Sequence, residues 1–125
     1  MAAAELEGSK VFAKEFMQKH NIPTAASESF SRLEDAESYL VQVDHRVGIK
    51  ADGLAGGKGV VLPESQKEAL EEVRRMMNGE FTSAGPSVVI EEFMEGDEIS
   101  LLTLSDGNGC LFSCSVCVTK GPRRY

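Results

Sequence analysis

No stretch of this 125-residue sequence approaches the roughly 20 consecutive apolar residues that a bilayer-spanning helix needs, so no membrane partner is expected. The opening Met-Ala-Ala-Ala-Glu-Leu-Glu-Gly has neither the basic nor the apolar region of a secretory leader, and it carries no periodic signal. Positive charge is short as well: 13 Lys and Arg stand against 20 Asp and Glu, a formal charge of −7. That balance argues against nucleic acid as a partner, and a bound anion must meet a local cationic site. Three cysteines are an odd number, which points to free thiols and a cytoplasmic address. Tryptophan is absent, as are internal repeats and low-complexity linkers. What remains, 42% apolar and 26% charged, is the composition of one modest soluble domain.

Metal-ligating residues are scarce. His20 falls at the end of a helical pattern, where the helix dipole favours it, and His45 lies in a polar loop with only Asp44 beside it. Cys110-x-x-x-Cys114-x-x-Cys117 matches the spacing by which radical S-adenosylmethionine enzymes hold an iron–sulfur cluster. Only eight residues follow it, however. On a strand, Cys110 and Cys114 would face one side and Cys117 the other. Buried free thiols, or a tail of altered reading frame, are expected here, and no metal site.

The periodicity alternates between helix and strand. Ser9 can cap a helix that places Phe12, Ala13, Phe16 and Met17 on one face, and Ile22-Pro23 stops it. Ile22–Ala25 reads as extended. A second helix is expected over Leu33–Val41, with Leu33, Ala36, Tyr39 and Leu40 on one side, and Val47–Lys50 as the first firm strand. Ser65-Gln66-Lys67-Glu68 is a capping box, opening a helix with a Leu70/Val73/Met76/Met77 stripe and with Glu71 and Glu72 spaced to pair with Arg75. Asn78-Gly79 ends it. Ser87–Met94 reads as a mainly buried strand that turns acidic at its end. Beyond the Glu95-Gly96-Asp97 turn, Glu98–Ser105 reads as one strand, and the Asp106-Gly107-Asn108-Gly109 turn returns it as Cys110–Val118. The fold class is α+β with mostly antiparallel strands.

The chemistry concentrates in Lys50-Ala51-Asp52-Gly53-Leu54-Ala55-Gly56-Gly57-Lys58-Gly59-Val60, which holds four glycines and two lysines in eleven residues. Such a run lets backbone N–H groups line an anion site, with lysine charge beside them. It is no Walker A loop, because Gly59 stands where a metal-binding hydroxyl belongs. It is no dinucleotide fingerprint either, because it enters a strand and not a helix. A hairpin loop covering phosphates fits best; the bland alternative is an ordinary glycine-rich turn.

Four motifs in order, Ser9-Lys10-x-Phe12-Ala13-Lys14-x-Phe16-Met17, Ile22-Pro23-Thr24-Ala25, Lys50–Val60 and Ile90-Glu91-Glu92-Phe93-x-x-Gly96-x-Glu98-x-Ser100-Leu101, resemble the ATP-grasp portion of the glycinamide ribonucleotide synthetase (phosphoribosylamine–glycine ligase) family. The likeness runs over residues 8–107. It implies an ATP-grasp lid subdomain, a mostly antiparallel sheet with two packed helices, preceded by a linker helix. The division it implies is 1–38 for the N-terminal segment and linker helix, 39–107 for the nucleotide-binding lid and hinge, and 108–125 for a divergent tail. The family phosphorylates the carboxylate of glycine with ATP and Mg2+, and the amine of phosphoribosylamine attacks the acyl phosphate in a step of purine biosynthesis.

Carried over by position, Lys10 and Lys50 are expected to hold ATP phosphates under a lid that includes Gly53, Gly56, Gly57, Lys58 and Gly59. Glu91, Glu92, Phe93 and Met94 are expected to meet adenine, largely through backbone groups, and Glu98 the ribose hydroxyls. A carboxylate is acceptor-only and therefore suits two ribose O–H donors. Gly56 replaces the usual alanine, and Arg46-Val47-Gly48 is less apolar than the family pattern. After Gly107 the resemblance breaks off, so the magnesium ligands and the glycine and phosphoribosylamine sites are not expected in this sequence. The expectation is a fragment (by truncation, splicing or gene prediction) that is inactive alone. The alternative is a non-catalytic nucleotide-binding or interaction module derived from such a ligase.

Overall fold

The computed structural model describes residues 2–53, 59–80, 86–112 and 117–119. They fall into two compact units, residues 1–93 and 94–124. In the first unit, α1 (Ala2–Gly8) precedes α2 (Lys10–Lys19), β1 (Ser27–Phe30), α3 (Leu33–Gln42), β2 (Val47–Ala51), β3 (Val60–Val61), α4 (Gln66–Met77) and β4 (Val88–Glu92). The four strands form one antiparallel sheet in the order β1-β4-β2-β3.

Two elements were not expected. The segment Ala2–Gly8 is helical although it lacks an apolar stripe, because alanine, glutamate and leucine are strong helix formers. Strand β1 is Ser-Glu-Ser-Phe, with no apolar alternation; it becomes a strand by pairing Ser27–Phe30 against Glu91–Val88 of β4.

The helix ends follow the local chemistry. Ser9 is extended, and its Oγ accepts from Phe12 N at 3.1 Å, starting α2. Asn21, at φ 54°, turns the chain out of α2, and Ile22 N–H reaches back to Met17 O at 2.8 Å. Ser65 Oγ accepts from Glu68 N at 3.2 Å, while the Glu68 carboxylate accepts from Glu64 N at 2.8 Å, one residue before the cap itself. Arg75 pairs with Glu72 at 2.7 Å and with Glu80 at 2.9 Å; the expected partner Glu71 instead lies 3.9 Å from Lys67.

Side chains alternate across the sheet. Val47, Ile49, Ala51, Val88 and Ile90 face α3 and α4, where Ala36, Leu40, Ala69, Val73, Met76 and Met77 complete the buried core. Each large aliphatic so buried contributes roughly 1.5–3 kcal/mol. Leu62 lies so close over β2 that a Cβ at Gly48 would sit 3.1 Å from its Cδ2. The opposite face carries Gly48, Lys50, Val89 and Glu91, and there the strands meet α2 instead.

In the second unit, the strand expected over Glu98–Ser105 is broken into β5 (Glu98–Ser100) and β6 (Thr103–Ser105), and its return into β7 (Cys110–Phe112) and β8 (Cys117–Thr119). Strand β6 pairs with β7, and β5 with β8. The turn between β6 and β7 forms as its composition requires. Gly107 takes φ 88°, and Asp106 Oδ1 accepts from the N–H groups of Asn108 and Gly109, each at 2.8 Å. Cys110 is a free thiol, but exposed where a buried one was expected. Cys114 lies outside the described residues.

Candidate functional site

The polar face of the first sheet carries Lys50, and α2 brings Lys10 and Lys14 to it. Lys50 projects from the middle of β2 and is 29% exposed, and its ammonium pairs with Glu91 Oε1 on the neighbouring β4. The other carboxylate oxygen, Glu91 Oε2, lies 2.8 Å from Lys14 Nζ, on α2. Lys14 is almost fully buried; it also donates to Thr24 Oγ1 at 2.8 Å and to Ala25 O at 3.1 Å. Burial by itself would raise the Glu91 carboxyl, but the hydrogen bonds and charges of the two lysines outweigh it and hold the group below the usual carboxylate range.

A second tie anchors the base of the glycine-rich run. Asp52 Oδ1 accepts from Lys10 N at 2.7 Å, Val11 N at 3.2 Å and Ser9 Oγ at 3.1 Å, so an anion sits on the first turn of α2 where the helix dipole favours it. The backbone N–H of Asp52 donates to Ser87 O at 2.9 Å, and Ala51 N–H to Gly59 O at 2.7 Å, so one end of the loop is pinned beside β4 and the other to the end of β2. Gly53 takes φ 81°, a conformation that favours glycine, and its carbonyl accepts from Lys10 Nζ at 2.7 Å. Burial draws the Lys10 ammonium below its ordinary range; the Asp52 charge opposes this and the nearby Lys50 charge adds to it. Lys10 and Lys50 are therefore brought to one place, electrostatically coupled, beside the root of the loop.

Of the remaining residues singled out in the sequence, Gly59 is buried at the loop's exit. Gly56, Gly57 and Lys58 lie outside the described residues. At the end of β4 the Glu92 N–H donates to Ala26 O at 2.9 Å and the Phe93 N–H to Arg46 O at 3.1 Å. Those two donors thus already serve neighbouring backbone. Glu92 Oε1 accepts from Ala26 N at 2.9 Å, and the Arg46 guanidinium lies 4.4 Å from the Phe93 ring centre, closing that edge of the sheet. Met94 and Glu98 belong to the second unit, Met94 exposed and Glu98 starting β5.

Sequence reasoning missed Lys14 and Asp52. Both stood inside the quoted motifs, and Lys14 follows Lys10 by one helical turn, which was the available signal. Their partners, Glu91 and the start of α2, come from distant parts of the chain. Among the described residues no group of three or more His, Cys, Asp or Glu could hold a metal ion. No helix among them is long and apolar enough to cross a membrane.

Residues 8–117 match the family described as phosphoribosylglycinamide synthetase, ATP-grasp (A) domain. A bifunctional purine biosynthetic protein of Schizosaccharomyces pombe is 56% identical over 109 residues, covering 86% of this chain and 14% of that protein. A phosphoribosylamine–glycine ligase of Fusobacterium nucleatum is 53% identical over 105 residues, 83% of this chain and 25% of the relative. The chain thus spans a quarter or less of the length of these relatives. The crystal structure of phosphoribosylamine–glycine ligase from Thermotoga maritima matches with a TM-score of 0.78 at 37% identity, covering 84% of this chain and 27% of that one. D-alanyl-alanine synthetase A from Vibrio cholerae shares the fold alone, with a TM-score of 0.70 at 11% identity. With a family match over most of its length, this chain belongs to the phosphoribosylglycinamide synthetase ATP-grasp (A) domain family.

Proposed function

We propose that the chain supplies the ATP-binding half-cleft of a phosphoribosylamine–glycine ligase of purine biosynthesis, an ATP-dependent carboxylate–amine ligation. The observation that carries this reading is the convergence of Lys10 and Lys50 at the root of the glycine-rich run, both on the polar side of the sheet. Ammonium groups near enough to feel each other's charge suit a polyanion, and a triphosphate is such a guest. In this reading Lys10 and Lys50 bind and orient phosphates, and the loop with Gly53, Gly56, Gly57, Lys58 and Gly59 closes over them and excludes water, which would hydrolyse an acyl phosphate. The segment Glu91, Glu92, Phe93 and Met94 meets adenine, and Glu98 accepts from the ribose.

Mg2+ travels with the triphosphate in this chemistry; among the described residues no group of three or more His, Cys, Asp or Glu could hold it. The division into a linker (1–38), a lid and hinge (39–107) and a tail (108–125) goes with the same reading, as does a cytoplasmic location. Because the chain spans a small part of the ligases it resembles, glycine and phosphoribosylamine are taken up by the whole enzyme, and this chain alone is expected not to catalyse the ligation.

Calorimetric titration with MgATP tests the proposal. The chain should bind, and Lys50→Ala should weaken binding about 10- to 100-fold, the worth of one charged hydrogen bond. A chain that folds yet binds no MgATP would favour an interaction module of ATP-grasp ancestry.

A further inference from the structure

Glu91 is embraced by two lysines of unequal freedom. The Lys14 side chain is 11% exposed and fixed by three acceptors on two segments, Thr24 and Ala25 before β1 and Glu91 on β4. The Lys50 side chain is 29% exposed and has Glu91 as its partner. The charged groups facing Glu91 are Lys14 from α2 and Lys50 from β2; from β1 the residue opposite is Ser27, whose hydroxyl is buried without a partner. The cluster therefore carries one excess positive charge. A buried carboxylate stripped of every counter-ion is strongly disfavoured, so Lys50 alone with Glu91 would be a locked pair. Lys14 removes the lock.

We propose that Lys14 is a positioning residue for the anion site: by remaining bound to Glu91, it releases Lys50 to a polyphosphate without leaving a buried charge unpaired. This rests on the assignment of Lys50 to ATP phosphates made above. The consequence is a specific pH signature. Without the Lys14 charge, Lys50 can move to a phosphate only if Glu91 takes a proton from solvent. Binding then becomes proton-coupled, and affinity rises as pH falls, by up to tenfold per pH unit for one proton taken up.

The test is calorimetric titration of the whole chain with MgATP and, separately, with inorganic tripolyphosphate, between pH 7 and 8.5. The variants are Lys14→Gln, whose amide can still reach Thr24 and Ala25, and Lys14→Gln/Glu91→Gln. The expected result is at least tenfold weaker binding by Lys14→Gln at pH 8.5, with a pH slope steeper than wild type, and a wild-type slope restored in the double variant. A Lys14→Gln chain that unfolds while the double variant folds supports the same compensation.

A Lys14→Gln slope equal to wild type, a steep slope that persists in the double variant, or unfolding of both variants would overturn the proposal. If wild type binds tripolyphosphate with this pattern but not MgATP, the nucleotide reading fails and the role of Lys14 stands. If wild type binds neither, both fail.

Discussion

Each unit of this chain has four strands, yet among the described residues only the first has an interior. In the first, β2 and β4 lie at the centre of the sheet, and Ile49, Val73, Met76, Val88 and Ile90 are sealed from solvent between the sheet and two helices. In the second, every described side chain from Met94 to Leu111 is exposed, with Leu102 at 63%, Leu104 at 76% and Leu111 at 75%. Its strands form two two-stranded sheets, and a two-stranded sheet on its own is marginal in water. Register in the first unit is enforced by burial, since a one-residue slip would turn Lys50 and Glu91 into the core. Register in the second is set by a turn, through Asp106 and Gly107. Hydrophobic pattern alone does not make a core; a covering layer does.

The largest expected effect follows from that contrast. Ile90→Ala removes a fully buried side chain from the contact between β4 and α4 and should cost about 2–5 kcal/mol, read as a lowered denaturation midpoint in urea. A loss below 1 kcal/mol would mean that the sheet–helix layer is not what holds the first unit together.

Next comes the polar face. The folded Glu91 carboxyl lies below its ordinary value, so its contribution is present above the unfolded carboxylate value and disappears as pH falls through the depressed folded one. Urea unfolding at pH 7 and at about pH 3.5 should therefore show a larger drop for wild type than for Glu91→Gln, whose amide does not titrate. Equal drops would show that the two lysines do not stabilise the carboxylate.

What could be read in advance divides along similar lines. Helix α4 was legible because Ser65, Glu68 and a stripe of apolar residues are local signals, and β2 and β4 because a buried strand must be an apolar run. Lys10 and Lys50 were singled out through motif order, and the fold sets them on α2 and β2 beside the glycine-rich run. Strand β1 was not, because Ser27–Phe30 owes its conformation to β4 and not to its own composition. Lys14 has no local signal beyond its place one turn after Lys10; what distinguishes it is being brought to Glu91, which only the tertiary fold does. The strand expected over Glu98–Ser105 failed for the opposite reason. Its local pattern is good, but among the described residues Leu101 and Leu102 are left exposed, and the ladder breaks there.

The smallest expected change sits in that second unit. Leu104 pairs with Leu111 across β6 and β7, and both side chains are about three-quarters exposed, so their mutual contact is the main apolar gain available to them. Leu104→Ser should alter global stability by less than about 0.5 kcal/mol, because exposed positions away from caps, cores and ion pairs rarely matter more. It should nevertheless reduce self-association in sedimentation, since it interrupts an apolar patch on an exposed strand. A stability loss of the size expected for Ile90→Ala would show that Leu104 is covered in solution, and the contrast between the two units would then vanish.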